Sequence, residues 1–275
     1  MTTNTTRSAE LRTIDPVWDA VTSGARQIAH AEPSLANLVY SNVLNHGSFE
    51  DALAHRLAER LDHPDVSADL IRQAFRDVLA ARPEIGLEAR ADLAATLERD
   101  PACHKAVDAF LYFKGFHAIQ THRFAHAMWV GGRREFALYL QSRSSTVFQV
   151  DINPAARIGK GIMLDHATGF VVGETATIGD NVSILQGVTL GGTGKSEEDR
   201  HPKIDNGVLI GAGAIVLGNI RVGECARIGA GSVVVKEVPP RVTVAGVPAR
   251  IIGEAGYAHP ASVMDHVALV NDLTG

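Results

Sequence analysis

Residues 150–190 read VDINPAARIGKGIMLDHATGFVVGETATIGDNVSILQGVTL. Aliphatic residues recur there at Ile152, Ile158, Leu164, Val172, Ile178, Ile184 and Leu190, with two extra residues ahead of Val172. The rhythm resumes at Ile204, Ile210, Val216, Val222, Ile228 and Val234. The fifth position of each unit is small or β-branched, as at Ala156, Ile162, Thr168, Ala176, Val182 and Val188, and Gly often holds the second, as at Gly159, Gly173, Gly179, Gly211, Gly223 and Gly229. A period of six matches neither the 3.6-residue helix nor the two-residue strand. It fits a coil of short strands that turn corners, with Gly supplying the corner conformations. Three units per coil give a triangular prism of about four coils, stacked about 4.8 Å apart and paired as parallel strands.

Upstream the period changes. LANLVYSNVL (35–44), ALAHRLAERL (52–61) and VSADLIRQAFRDVLAA (66–81) repeat apolar residues three and four apart, the mark of amphipathic helices. Asp15-Pro16 and Asp100-Pro101 each read as an N-cap followed by proline at the first helical position. The expected fold class is therefore α+β. A helical domain over 1–149, with about six to eight helices ending in one near 133–147, precedes a β-helix over 150–252 and a tail over 253–275. The tail lacks a strong period and is expected to be largely mobile.

The 275 residues include 26 Gly and only 5% aromatics, which suits close backbone approaches. A net charge of −5 gives no basic footprint for nucleic acid. No apolar run is long enough to span a membrane, and the start MTTNTTRSAELRT lacks the apolar core of a secretory signal, so a cytoplasmic location is expected. The two cysteines, Cys103 and Cys225, have no metal-ligand spacing.

Chemistry is expected where the repeat breaks its own rule. One break is Leu164-Asp165-His166-Ala167-Thr168-Gly169, which puts Asp165 and His166 at an outward corner. A corner histidine is ordinarily a solvated side chain, yet imidazole is also the group suited to take a proton from a hydroxyl near neutral pH. A carboxylate on the other ring nitrogen would orient it. Asp151, nearly one coil earlier, and adjacent Asp165 are both candidates, although neighbouring side chains diverge in extended backbone. The second break is the loop GGTGKSEEDRHPK (191–203), which offers Gly192, Thr193, Arg200 and His201. Its Lys195-Ser196 does not make a nucleotide-binding P-loop, because Thr189 stands where the motif needs Gly. Arg200 has the planar fork that suits a carboxylate.

FHAIQTHR (116–123), the stretch from Thr146 through Ile204, GVLIGAGAIVLGNI (207–220) and VAGVPAR (244–250) together resemble the serine acetyltransferases of the hexapeptide-repeat acyltransferase superfamily. The likeness runs from about residue 15 to 252. It implies a left-handed parallel β-helix, and acetyl transfer from acetyl-CoA to the hydroxyl of L-serine as the first step of cysteine biosynthesis. By this resemblance His166 is the general base and Asp151 its carboxylate partner. Asp100 and Asp165 hold the substrate ammonium, and Arg200 and His201 hold its carboxylate. Gly192, Thr193, Ala212 and Ala230 line the acetyl-CoA groove, and no metal takes part. It further implies trimer-based assembly up to a hexamer, with active sites between neighbouring prisms, and L-cysteine as feedback inhibitor at the serine site. Relatives that dock into O-acetylserine sulfhydrylase end in Ile, whereas this chain ends Asp272-Leu273-Thr274-Gly275, a departure that argues against that partnership.

Two readings from other functional classes compete with this one. A zinc hydratase on the same prism needs three histidines, and the repeat region has only His166 and His201, with His122 and His126 as an i,i+4 pair on a helix. A non-catalytic scaffold predicts no thiol release from acetyl-CoA.

Overall fold

The computed structural model describes residues 15–194 and 197–264. Among these, eight α-helices come first: α1 (Pro16–Ala31), α2 (Ala36–Val39), α3 (Phe49–Leu61), α4 (Ala68–Ala81), α5 (Glu84–Arg99), α6 (Ala106–Tyr112), α7 (Lys114–Val130) and α8 (Arg134–Phe148). The Asp15 carboxylate caps α1 by accepting the Trp18 N–H at 3.1 Å. Asp100 departs from expectation. It closes α5 rather than opening a helix, and its Oδ1 accepts the Ala102 N–H at 2.8 Å in a turn while α6 waits until Ala106. The Asp side chain satisfies the turn's own amide, so the Asp-Pro pair marks a chain reversal. Helix α7 is the most enclosed, and Phe75 of α4 stacks on its Phe124 with centroids 4.1 Å apart.

The strands are β1 (Val150–Ile152), β2 (Arg157–Ile158), β3 (Met163–Leu164), β4 (Phe170–Val172), β5 (Thr177–Ile178), β6 (Ser183–Ile184), β7 (Thr189–Gly191), β8 (Lys203–Ile204), β9 (Leu209–Ile210), β10 (Ile215–Leu217), β11 (Arg221–Val222), β12 (Arg227–Ile228), β13 (Val233–Val234), β14 (Val242–Gly246) and β15 (Ala249–Glu254). They form three parallel faces, β1-β4-β7-β10-β13, β2-β5-β8-β11 and β3-β6-β9-β12-β14, with β15 added antiparallel to the last. Two of the sides count five parallel strands rather than four. The aliphatic first positions stack in register, Ile152 on Val172, Val172 on Leu190, Leu190 on Val216 and Val216 on Val234.

Two details differ from the sequence reading. Thr168 is exposed, while Phe170 and Ala167 are fully buried. The two inserted residues move the inward role to the residue two before Val172. The second-position glycines also serve differently: none has a positive φ. Gly159 is needed because a Cβ there would fall 2.7 Å from the Gly179 backbone of the next coil. The left-handed corners use other glycines, Gly169, Gly187, Gly213 and Gly231.

Buried polar groups fasten the helices to the prism. Asp92 of α5 accepts from Arg123 Nη2 at 2.7 Å and Gln120 Nε2 at 2.8 Å, and its other oxygen takes the Ile162 N–H at 2.8 Å. Arg123 also donates to the Gly159 carbonyl at 2.6 Å. Arg99 donates to Ser183 Oγ at 3.1 Å, and Ser183 Oγ donates to the Ala261 carbonyl at 2.8 Å. The described part of the tail is thus docked: helix α9 (Pro260–Val263) buries Pro260 and Ala261. Residues 265–275, which include the C-terminal sequence discussed above, lie outside the described residues.

His117 and His122 are enclosed in α7, and burial lowers each imidazole from 6.5 to about 3. Below about 6.5 the unfolded chain binds protons that the folded chain refuses. Their contribution is therefore complete above that value and is lost as pH falls toward 3, by up to about 1.4 kcal/mol per pH unit for each ring. The urea midpoint is expected to drop between about pH 7.5 and pH 5; a flat profile would contradict this.

Candidate active site

The corner between β3 and β4 takes an unusual path. His166 and Ala167 have φ of 54° and 64°, and among the described residues nowhere else do two consecutive non-glycine residues adopt left-handed backbone. Each costs roughly 1–2 kcal/mol, so the surroundings must hold the turn. They do so through Thr168 N–H to the His166 carbonyl at 2.8 Å, Gly169 N–H to the Gln149 carbonyl at 2.8 Å, and the buried Ala167 methyl. The turned backbone swings His166 outward, its side chain 71% exposed, and brings Nε2 to 3.6 Å from Asp165 Oδ2. The expectation that adjacent side chains diverge fails here because the backbone is not extended.

Asp100, Asp165 and His166 share one cavity of about 800 Å³, lined also by Arg99, Lys114, Gly115, Leu185 and the Ser262–Met264 segment. Lys114, Gly115 and the tail segment were not foreseen. FHAIQTHR begins two residues after Lys114, and only the packing of α7 on β3 brings that helix start to the site. Asp151 does not join this group within the chain. It lies on β1 opposite Val171, and its Oδ1 accepts from Gln141 at 2.7 Å.

Below His166 the same prism edge continues. Gly187, Gly213 and Gly231 donate to the carbonyls of Thr168, Gln186 and Ala212, each at 2.8 Å. Thr168, Gln186, Ala212 and Ala230 therefore follow one another down the edge, and at about 4.8 Å per coil Ala230 lies roughly 14 Å from the turn. A Cβ on Gly213 or Gly231 would meet nothing within 4 Å, so the edge is open there.

Arg200, His201, Gly192 and Thr193 sit elsewhere, on the edge after β4 and β7. Arg200 Nη2 donates to Glu174 Oε2 at 2.9 Å. His201 is buried, and its Nδ1 accepts the Thr175 N–H at 3.2 Å. Burial, together with the Arg200 and Lys203 cations, lowers its imidazole below the ordinary value. A neutral ring that accepts at Nδ1 carries its proton on Nε2, ready to donate. Gly173 makes room for this ring, since a Cβ would fall 2.0 Å from it. Glu174, Thr175 and Gly173 were also missed; their one sequence signal was membership in the GETAT unit.

One prism therefore carries two groups of polar residues at the two edges of a single face, β1-β4-β7-β10-β13. The outward column of that face runs Asp151, Val171, Thr189, Ile215, Val233, with Val171 and Ile215 exposed. Among the described residues no group of three or more His, Cys, Asp or Glu is arranged to hold a metal. His122 and His126 pack ring to ring, and His126 Nδ1 bonds the Pro154 carbonyl. No described helix is long and apolar enough to cross a membrane.

The family model for the serine acetyltransferase N-terminal region matches residues 17–121, and that for bacterial transferase hexapeptide repeats matches 201–236. A serine acetyltransferase of Salmonella typhimurium is 53% identical over 252 residues, 92% of each chain. The crystal structure of the Brucella abortus strain S19 serine acetyltransferase in complex with coenzyme A is 60% identical, with TM-score 0.88 over 90% of this chain and 99% of that one. The Neisseria gonorrhoeae enzyme in complex with serine is 51% identical, with TM-score 0.84 over 88% and 99%. A further solved serine acetyltransferase, 49% identical with TM-score 0.89 over 91% and 97%, is a complex with cysteine. The helical part followed by a left-handed parallel β-helix of hexapeptide repeats is the fold they share. The chain belongs to the serine acetyltransferase family of acyltransferases.

Proposed function

We propose that the protein transfers the acetyl group of acetyl-CoA to the hydroxyl of L-serine, giving O-acetyl-L-serine and CoA, in the cytoplasm as the first step of cysteine biosynthesis. The observation that carries this reading is the single cavity joining Asp100, Asp165 and His166 at the head of an open edge lined by Ala212 and Ala230. Relatives of this identity that hold coenzyme A and serine support it.

His166 takes the hydroxyl proton as the serine oxygen attacks the thioester carbonyl. The tetrahedral intermediate collapses, the C–S bond breaks, and the imidazolium returns the proton to the departing thiolate. Asp100 and Asp165 receive the substrate ammonium. Asp100 commits only Oδ1 to its turn, which leaves a second oxygen. Asp151 serves as the orienting carboxylate for the imidazolium, which requires the His166 ring to turn from Asp165 when substrate binds.

Arg200 and the Nε2–H of His201 bind the substrate carboxylate from a neighbouring copy, whose Gly192 and Thr193 flank the cofactor. The exposed Val171 and Ile215 between the two edges support a threefold assembly in which each edge meets the opposite edge of the next prism. Pairing of such trimers through the helices would give a hexamer. L-cysteine, with sulfur in place of the hydroxyl oxygen, fits the same contacts as a competitive feedback inhibitor, and a relative in complex with cysteine supports this.

Thiol release from acetyl-CoA, followed with serine, homoserine, threonine and a sugar as acceptors, tests the reaction. Serine is expected to give the largest kcat/KM; release with none of them would contradict the enzymatic reading, and preference for homoserine would change the acceptor. Gly173→Ala is expected to evict the His201 ring and raise the KM for serine roughly tenfold or more with little change in the KM for acetyl-CoA. An unchanged serine KM would remove His201 from the carboxylate site.

A further inference from the structure

The start of α7 presses on the His166 turn from the helical half of the chain. A Cβ on Gly115 would fall 1.9 Å from the Leu164 carbonyl oxygen and 3.4 Å from the Ala167 Cβ, so the helix is seated against the residues on either side of Asp165 and His166. One residue earlier, the Lys114 ammonium donates to the Thr168 hydroxyl, on the far side of the turn. That hydroxyl in turn lies 3.5 Å from the His166 carbonyl oxygen. Lys114 and Gly115 thus bracket a backbone stretch that is left-handed without glycine at two successive residues. Gly169 takes the left-handed place that Gly187 and Gly213 hold at the corners below, so His166 and Ala167 are left-handed in addition to the ordinary corner glycine.

We propose that Lys114 is a positioning residue for the acetyl-transfer reaction. Acting through Thr168, it locks the turn that presents His166, and Gly115 is what lets the helix come close enough. This rests on the reading of His166 as the base. Of the other cationic side chains on the cavity wall, Arg99 is committed to the Gly161 carbonyl and Ser183, whereas Lys114 reaches only the turn's own hydroxyl among the bonds described here. A clamp on the base predicts a loss in kcat rather than in substrate binding, because the ring must reach the hydroxyl proton within hydrogen-bond distance.

The experiment compares Lys114→Met, Lys114→Arg, Thr168→Val, Thr168→Ser and His166→Ala in the full-length enzyme, with kcat, both KM values and thermal unfolding measured for each. Lys114→Met and Thr168→Val are each expected to lower kcat about tenfold, with both KM values within about twofold and the unfolding midpoint unchanged. Lys114→Arg and Thr168→Ser, which keep the donor and the hydroxyl, are expected to recover most of the rate. Lys114→Met combined with His166→Ala should be no slower than His166→Ala alone. Wild-type kcat in Lys114→Met beside a nearly inactive His166→Ala would overturn the positioning role and leave the base intact. A rise confined to the serine KM would make Lys114 a substrate contact instead and also overturn it. High activity in His166→Ala would overturn the underlying reading of the base.

Discussion

His166→Ala is expected to lower turnover about 10²- to 10⁴-fold while acetyl-CoA still binds. The size follows from the task. A serine hydroxyl is a poor nucleophile until its proton leaves, and the imidazole is the cavity's group with a near-neutral ordinary pKa. Asp165 and Asp100 there are carboxylates. They suit an ammonium better than they suit proton abstraction. The edge through Ala212 and Ala230, which we propose holds the cofactor, does not involve the His166 side chain, so binding measured by calorimetry with CoA should persist. Near-wild-type turnover, or loss of CoA binding in step with turnover, would contradict the assignment.

Asp92→Ala is expected to cost about 3–5 kcal/mol of stability. Asp92 and Arg123 are both almost fully enclosed, and the carboxylate also satisfies Gln120 and the Ile162 amide. Removing it leaves a buried guanidinium whose remaining partners are Glu88 and the Ile158 and Gly159 carbonyls. The damage falls where α5 and α7 meet the first coil, so the Lys114 end of α7 should loosen with it. Urea unfolding of the variant measures the loss. A change below about 1 kcal/mol would mean that water enters and solvates Arg123, and that the interface is less closed than described.

The prism was legible because its interior admits so few residues. Ile152, Val172, Leu190, Val216 and Val234 stack on one another, and a column that narrow takes only aliphatic side chains. The same logic failed at Thr168, where two inserted residues handed the inward place to Phe170; counting in sixes does not show where a bulge resets the count. The corner carrying Asp165 and His166 was visible as a break in the pattern. What could not be read was how the turn folds back, since the positive φ at His166 and Ala167 occurs where Gly115 lets a helix about fifty residues away come against the turn. The Asp92–Arg123 contact left no pattern either, because two charged residues on amphipathic helices look solvated until a second element covers them. Arg200 and His201 stand together on one edge, bonded to Glu174 and Thr175. Their separation from His166 by a whole prism face was not visible in the loop that holds them.

That separation makes the shared site the claim to test. His166→Ala and Arg200→Ala chains, each carrying a different tag, would be co-expressed and particles containing both purified. If each site draws His166 from one prism and Arg200 from the next, every trimer containing both chains keeps one intact site in three, and activity should rise to about a quarter to a third of wild type although either variant alone is nearly inactive. Mixed particles no more active than their parents would contradict a site built from two copies.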